Sequence, residues 1–177
     1  GVEHVVTHAG SVTVETRHFS WFTISGIQNE VLDGLLNKGI DSGFRPGADD
    51  WQFPNQGSYV VPGGQCKGQS ATAMWYYCTR PDGPDAFLWN RYDNNGKSPA
   101  TPDFWFDDSA GYRFASMVQA EGHDAFGFSG KFMRHLAGND EATYRAFAYS
   151  MALTREPQQV WVMNSEVGAH VMVAYAV

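Results

Sequence analysis

One cysteine and one histidine are the residues of this sequence best suited, by type and setting, to covalent chemistry. Cys66 follows the pair Gly63-Gly64 and precedes a run without proline, in the stretch GGQCKGQSATAMWYY. This pattern places the thiol at the start of a helix, where unpaired N–H groups and the helix dipole favour a thiolate. His170 precedes the apolar run VMVAYAV, from which an imidazole could serve as the base that a cysteine nucleophile needs.

Both residues also have a structural interpretation. Free cysteine is among the most often buried residue types, and a histidine beside a strand is commonly an ordinary polar residue. Cys78 lies at the far end of the same predicted helix, so we expect it to be structural. The two cysteines are too far apart along that helix to form a disulfide.

A helix that carries Cys66 and a strand that carries His170 can face each other only if the helix packs against a sheet. Apolar spacing and composition predict helices between residues 26 and 39 and over residues 67–78, 108–121 and 138–153. Alternation predicts a strand or strand pair over 11–24, a short strand over 59–61 and a hairpin from 159–163 and 170–177. The sequence therefore predicts an α+β fold with loops over 41–64 and 79–107.

Two segments of this sequence resemble a known family. GGQCKGQSATAMWYY is similar to the active-site helix of papain-like cysteine peptidases, and GAHVMVAYAV resembles their histidine strand. The resemblance covers roughly residues 57–177. It implies a papain-like α+β fold in which the catalytic helix packs against an antiparallel sheet, with Cys66 as nucleophile and His170 as base. It also implies hydrolysis of a peptide or protein substrate without a cofactor.

The sequence departs from the family pattern in several places. The oxyanion glutamine of the family, six residues before the cysteine, is replaced by Val60, which leaves Gln56 as the upstream candidate. Lys67 stands where papain has tryptophan. The Asn or Asp that orients the histidine normally follows it on the next strand, so here it is absent, lies elsewhere or lies beyond Val177. The alternatives are acyl transfer by the same groups, or a catalytically incomplete binding or structural module.

A second motif, TRHFSWF, contains a histidine, a phenylalanine and a serine in sequence. His-Phe-Ser resembles the cleavage tripeptide of autoproteolytic β modules such as the function-to-find domain. The resemblance implies that the Ser20 hydroxyl attacks the Phe19 carbonyl while His18 moves the proton. The alternative is an ordinary strand. We accordingly expect residues 1–25 to be the tail of a neighbouring β module or a linker. We expect residues 26–177 to be a papain-like domain, either complete or truncated at the C-terminus, of a larger multidomain chain.

Composition limits the partners. The chain has 177 residues, 43% of them hydrophobic, and 12 basic against 19 acidic side chains give a net charge of −7. This charge argues against nucleic acid as a partner, and no run of about 20 apolar residues predicts membrane insertion.

We expect no bound metal ion. Adjacent carboxylates such as Asp49-Asp50 and Asp107-Asp108 seldom point the same way, so we interpret them as loop or cap residues. His123 and His135 have no ligand partner at zinc spacing.

Overall fold

A computed structural model describes residues 2–8, 11–16, 28–80, 86–89, 91–92, 110–121, 140–164 and 168–177. Its helices and strands are, in chain order, β1 (Val2–His8), β2 (Ser11–Thr16), α1 (Asn29–Leu36), α2 (Cys66–Thr79), α3 (Ala110–Glu121), α4 (Asp140–Thr154), β3 (Gln158–Asn164) and β4 (Gly168–Ala174). The fold is mixed α and β, and its strands pair antiparallel. This coarse fold class is the one that the sequence predicted.

Most of the predicted elements lie where their sequence signals placed them. Helix α2 begins at Cys66 itself, and α1 ends shortly before Gly39, whose φ of 76° suits a glycine after a helix. The strand predicted over 59–61 is wrong, because Ser58 and Val61 exchange backbone hydrogen bonds in a tight turn. The strand or strand pair predicted over 11–24 is found as β2 up to Thr16. Residues 17–27 lie outside the described residues.

The C-terminal hairpin carries His170. Strands β3 and β4 pair in register, with Val162 opposite His170. The segment after α1 lies beside the residues that follow β4. Ile40 and Val177 exchange backbone hydrogen bonds of 2.8 and 2.9 Å. The Ser42 N–H also donates to the Tyr175 carbonyl. Residues 40–42 therefore lie alongside the end of the chain.

Helix α2 is the central element of the part that carries the site. It packs against α3 and against the β3-β4 hairpin. The main core cluster consists of Phe44, Trp51, Phe53, Ala73, Tyr76, Leu88, Tyr112 and Ala115. Trp51 fixes this packing, because its indole N–H donates a 2.8 Å hydrogen bond to the Thr72 hydroxyl of α2. A second cluster joins α1 to α4 through Leu32, Ile40, Ala148 and Met151.

The N-terminal residues form a hairpin of their own. Strands β1 and β2 pair antiparallel, with His8 opposite Ser11. Among the described helices and strands, each of these two contacts only the other. The proposed division of the chain into residues 1–25 and 26–177 stays a prediction.

Helices α2 and α3 approach closely at Gly68. A Cβ atom at this position would overlap the carbonyl oxygen of Ala115, whereas a Cβ atom at Gly34 of α1 would meet no atom within 4 Å. The Gly68 N–H also donates a 2.9 Å hydrogen bond to the Gln119 side chain. Gly68 therefore sets the distance between the two helices.

Alanine should have opposite effects at these two glycines. Gly34→Ala should raise the free energy of unfolding by about 0.5–1 kcal/mol, because alanine is the better helix former. Gly68→Ala should lower it by about 1–3 kcal/mol, because overpacking outweighs that gain. Urea unfolding followed by circular dichroism measures both. Equal stabilisation by the two substitutions would contradict the close approach of α2 and α3.

Candidate active site

A cleft of about 290 Å³ lies between the start of α2, strand β4 and the loop that precedes α2. The residues that line it are Phe44, Pro46, Asp50, Trp51, Asn55, Cys66, Gln69, Ser70, His170, Val171, Met172, Val173 and Tyr175. The structure thus brings the two predicted catalytic residues, Cys66 and His170, to the walls of one cleft.

The start of α2 is held from two sides. The Gln65 N–H donates a 2.6 Å hydrogen bond to Asn55 Oδ1, and the Ser116 hydroxyl of α3 donates one of 2.7 Å to the buried Gln65 side chain. The first N–H groups of a helix have no intrahelical acceptor. Cys66 is the first residue of α2, so its backbone N–H is one of these groups.

The strand that carries His170 is attached to the same part of α2. The buried Ser70 hydroxyl lies 2.8 Å from the Cys66 carbonyl oxygen and 3.2 Å from the Val171 carbonyl oxygen. The Gln159 side chain of β3 donates to the Lys67 carbonyl. His170 itself is exposed, and in the described part of the chain no side chain hydrogen-bonds its ring. No Asn or Asp of these described residues orients the ring through a hydrogen bond, so the three alternatives for the third catalytic residue stay open.

The loop before α2 supplies two acidic residues with different surroundings. Asp49 is buried, accepts the Arg45 N–H and pairs with Arg80 at 2.7 Å. Asp50 is half-buried and accepts the Gly47 N–H at 2.7 Å, and partial burial raises the pKa of its carboxyl group. The interpretation of this pair as loop residues that bond the backbone is confirmed. Asp107, Asp108, His123 and His135 lie outside the described residues.

Asn55, the neighbour of Gln56, lies at the cleft. Gln56 is exposed, and it is not among the described residues that line the cleft. Asn55 does line it, and because its Oδ1 accepts an N–H, the NH₂ end of the amide is left as a donor. The family pattern has a glutamine in this region, so the sequence gave no signal for Asn55. The role of Gln56 stays a prediction.

Cys78 has surroundings unlike those of Cys66. It lines a separate depression with Trp75, Glu156 and Pro157. Cys78 as a whole residue is exposed, but partial burial of its thiol raises the pKa, and the negative charge of Glu156 raises it further. Cys78 therefore has a setting that disfavours the thiolate.

The second motif cannot be placed on this structure. His18, Phe19 and Ser20 lie outside the described residues, so autoproteolysis between Phe19 and Ser20 stays a prediction.

No protein-family model matches the chain, and no curated protein or solved structure matches it. The assignment of chemistry to the cleft therefore rests on its own residues. Among the described helices, none has the length and apolar character needed to cross a membrane.

The two cysteines should react at different rates with iodoacetamide. At pH 7.5, mass spectrometry of the intact protein and of its peptides should find Cys66 alkylated first. Labelling of Cys78 should need a higher pH. Glu156→Gln should move the pH dependence of Cys78 alkylation to lower pH, because it removes a negative charge beside the thiol. Cys78→Ser should leave the fast reaction intact. Equal, slow labelling of both thiols would contradict the assignment of Cys66 as the reactive one.

Proposed function

We propose that this protein is a cysteine peptidase of papain-like architecture, with Cys66 as nucleophile and His170 as general base. One observation supports this proposal most. A cysteine at the first position of a helix and a histidine on a distant strand of the sequence line the same cleft. The packing of α2 against the antiparallel β3-β4 hairpin supports the proposal, because it holds the two elements that carry these residues against each other.

The acylation step follows from the roles of the two residues. His170 takes the thiol proton, and the Cys66 sulfur attacks the carbonyl carbon of the scissile peptide bond. The tetrahedral intermediate collapses when the imidazolium donates its proton to the leaving nitrogen and the C–N bond breaks. The amine product leaves, and the acyl group remains on Cys66 as a thioester.

Deacylation repeats these steps with water. His170 removes a proton from a water molecule, whose oxygen attacks the thioester carbonyl. The C–S bond then breaks, the thiol is regenerated and the carboxylic acid product leaves. The exposed position of His170 leaves it accessible to that water. An amine in place of water would give acyl transfer.

The oxyanion formed in both steps needs hydrogen-bond donors. The Cys66 N–H is one, since it lies in the first turn of α2. The Asn55 NH₂ group is the second, because Asn55 lines the cleft and its oxygen is already bonded to the Gln65 N–H. The Cys66 donor belongs to α2, and the Asn55 donor belongs to the loop before it.

Hydrolysis should depend on both predicted catalytic residues as one unit. Cys66→Ala and His170→Ala should each lower kcat/KM for a mixed fluorogenic peptide library by about 10³-fold or more, and the double variant should be no worse than either. Cys78→Ala should retain the activity of the unmodified protein. A protein that hydrolyses no member of the library, or whose activity survives Cys66→Ala, would leave the non-catalytic binding module as the better assignment.

Two substitutions at Asn55 separate its structural role from its catalytic one. Asn55→Ala loses both the acceptor for Gln65 and the donor, whereas Asn55→Asp keeps the acceptor and replaces the donor by a negatively charged oxygen. Both should lower kcat by about 10²–10³-fold. Only Asn55→Ala should lower the free energy of unfolding, by about 1 kcal/mol. Full turnover by Asn55→Asp would remove Asn55 from the oxyanion site.

A further inference from the structure

The cleft carries a negative charge that the proposed catalytic steps do not use. Among the described residues that line it, Asp50 is acidic and none is lysine or arginine. The neighbouring Asp49 is neutralised by Arg80, whereas no described cation pairs with Asp50. Burial also raises the pKa of the Asp50 carboxyl group, as expected of a carboxylate that has lost solvent and gained no positive partner.

The walls around Asp50 also suit a positively charged ligand. Phe44, Trp51 and Tyr175 line the same cleft. Phe44 and Trp51 are buried in the core, so the exposed ring of Tyr175 is the aromatic surface that a ligand can reach. Aromatic faces attract ammonium and guanidinium groups. They also cover the methylene stem of a lysine or arginine side chain while its charged end reaches a polar group. A long basic side chain therefore matches both the charge and the apolar surface of the cleft.

We propose that the cleft selects peptides with a lysine or arginine side chain beside the scissile bond, and that Asp50 is the specificity-determining residue. This inference rests on the peptidase function proposed above. Asp50 is held for such a contact, because the Gly47 N–H bonds one of its oxygens at 2.7 Å. A carboxylate accepts several hydrogen bonds, so Asp50 can also accept one from a substrate cation.

A different role for Asp50 would be to orient His170. No hydrogen bond joins these two residues in the described part of the chain, although both line the cleft. The two roles have different kinetic consequences. An orienting residue affects all substrates alike, whereas a specificity residue affects the ratio between charged and neutral ones.

The first experiment compares matched peptides. Fluorogenic peptides carry arginine or its neutral isostere citrulline at each position that flanks the cleaved bond. The protein should favour the arginine peptide at one of these positions by about 10- to 100-fold in kcat/KM, as expected for a hydrogen-bonded charge pair. Asp50→Asn, which keeps the acceptor for Gly47, should bring this ratio close to one.

The control is Asp33→Asn. It makes the same change in net charge on an exposed residue of α1 that pairs with Arg145, and Asp33 is not among the described lining residues. The arginine preference should be unchanged in this variant. An equal preference in the unmodified protein and in Asp50→Asn overturns the inference. So does an Asp50→Asn variant that loses activity equally toward both peptides.

A binding measurement separates this inference from the peptidase function. Cys66→Ala binds without turnover, so calorimetry with the same two peptides should find the arginine peptide bound more tightly, and the added Asp50→Asn substitution should remove the difference. Preference in binding without hydrolysis by the unmodified protein supports the cleft selectivity and overturns the peptidase. Hydrolysis without preference supports the peptidase function and overturns the cleft selectivity. Binding of neither peptide overturns the inference.

Discussion

The Ser70 hydroxyl lies between the first turn of α2 and strand β4, 2.8 Å from the Cys66 carbonyl and 3.2 Å from the Val171 carbonyl. Ser70 is buried, so this contact is made away from water, where an unpaired carbonyl is costly. It joins the residue proposed as nucleophile to the neighbour of the residue proposed as base. Together with the bond from Gln159 to the Lys67 carbonyl, this junction holds β4 against the start of α2, and the geometry of the candidate site depends on it.

The loop before α2 completes the site because it is bonded to both of the other walls. Toward the chain end, Ser42 bonds the Tyr175 backbone. Toward α2, the Tyr77 hydroxyl donates to the Ser42 carbonyl, and Arg80 pairs with the buried Asp49. These bonds fix a segment that lacks regular secondary structure. Its side chains, Asp50 and Asn55 among them, can therefore be part of a preorganised site, as catalysis by fixed dipoles requires.

The parts of the site that were predictable have local causes. A glycine pair followed by a proline-free run determines where a helix starts, and the start of α2 at Cys66 confirmed that prediction. Alternating apolar residues determine a strand, and the strand with His170 was found in the predicted hairpin. Asn55 was not predictable in the same way. It is held at the cleft by one hydrogen bond to Gln65 across a loop, and no periodic pattern in the sequence encodes such a contact.

The sequence by itself determined which residues could react and on which elements they stand. Helix termini, strand alternation and turn residues are local properties, so Cys66 at a helix start and His170 on a terminal strand could be read from neighbouring residues. Only the tertiary structure decided that these elements form one cleft, that Asn55 rather than Gln56 lines it, and that Asp50 adds its charge. The physical reason is that packing and burial depend on residues far apart in the chain. The sequence specifies that Asp50 carries a carboxyl group, but the fold determines which groups surround it.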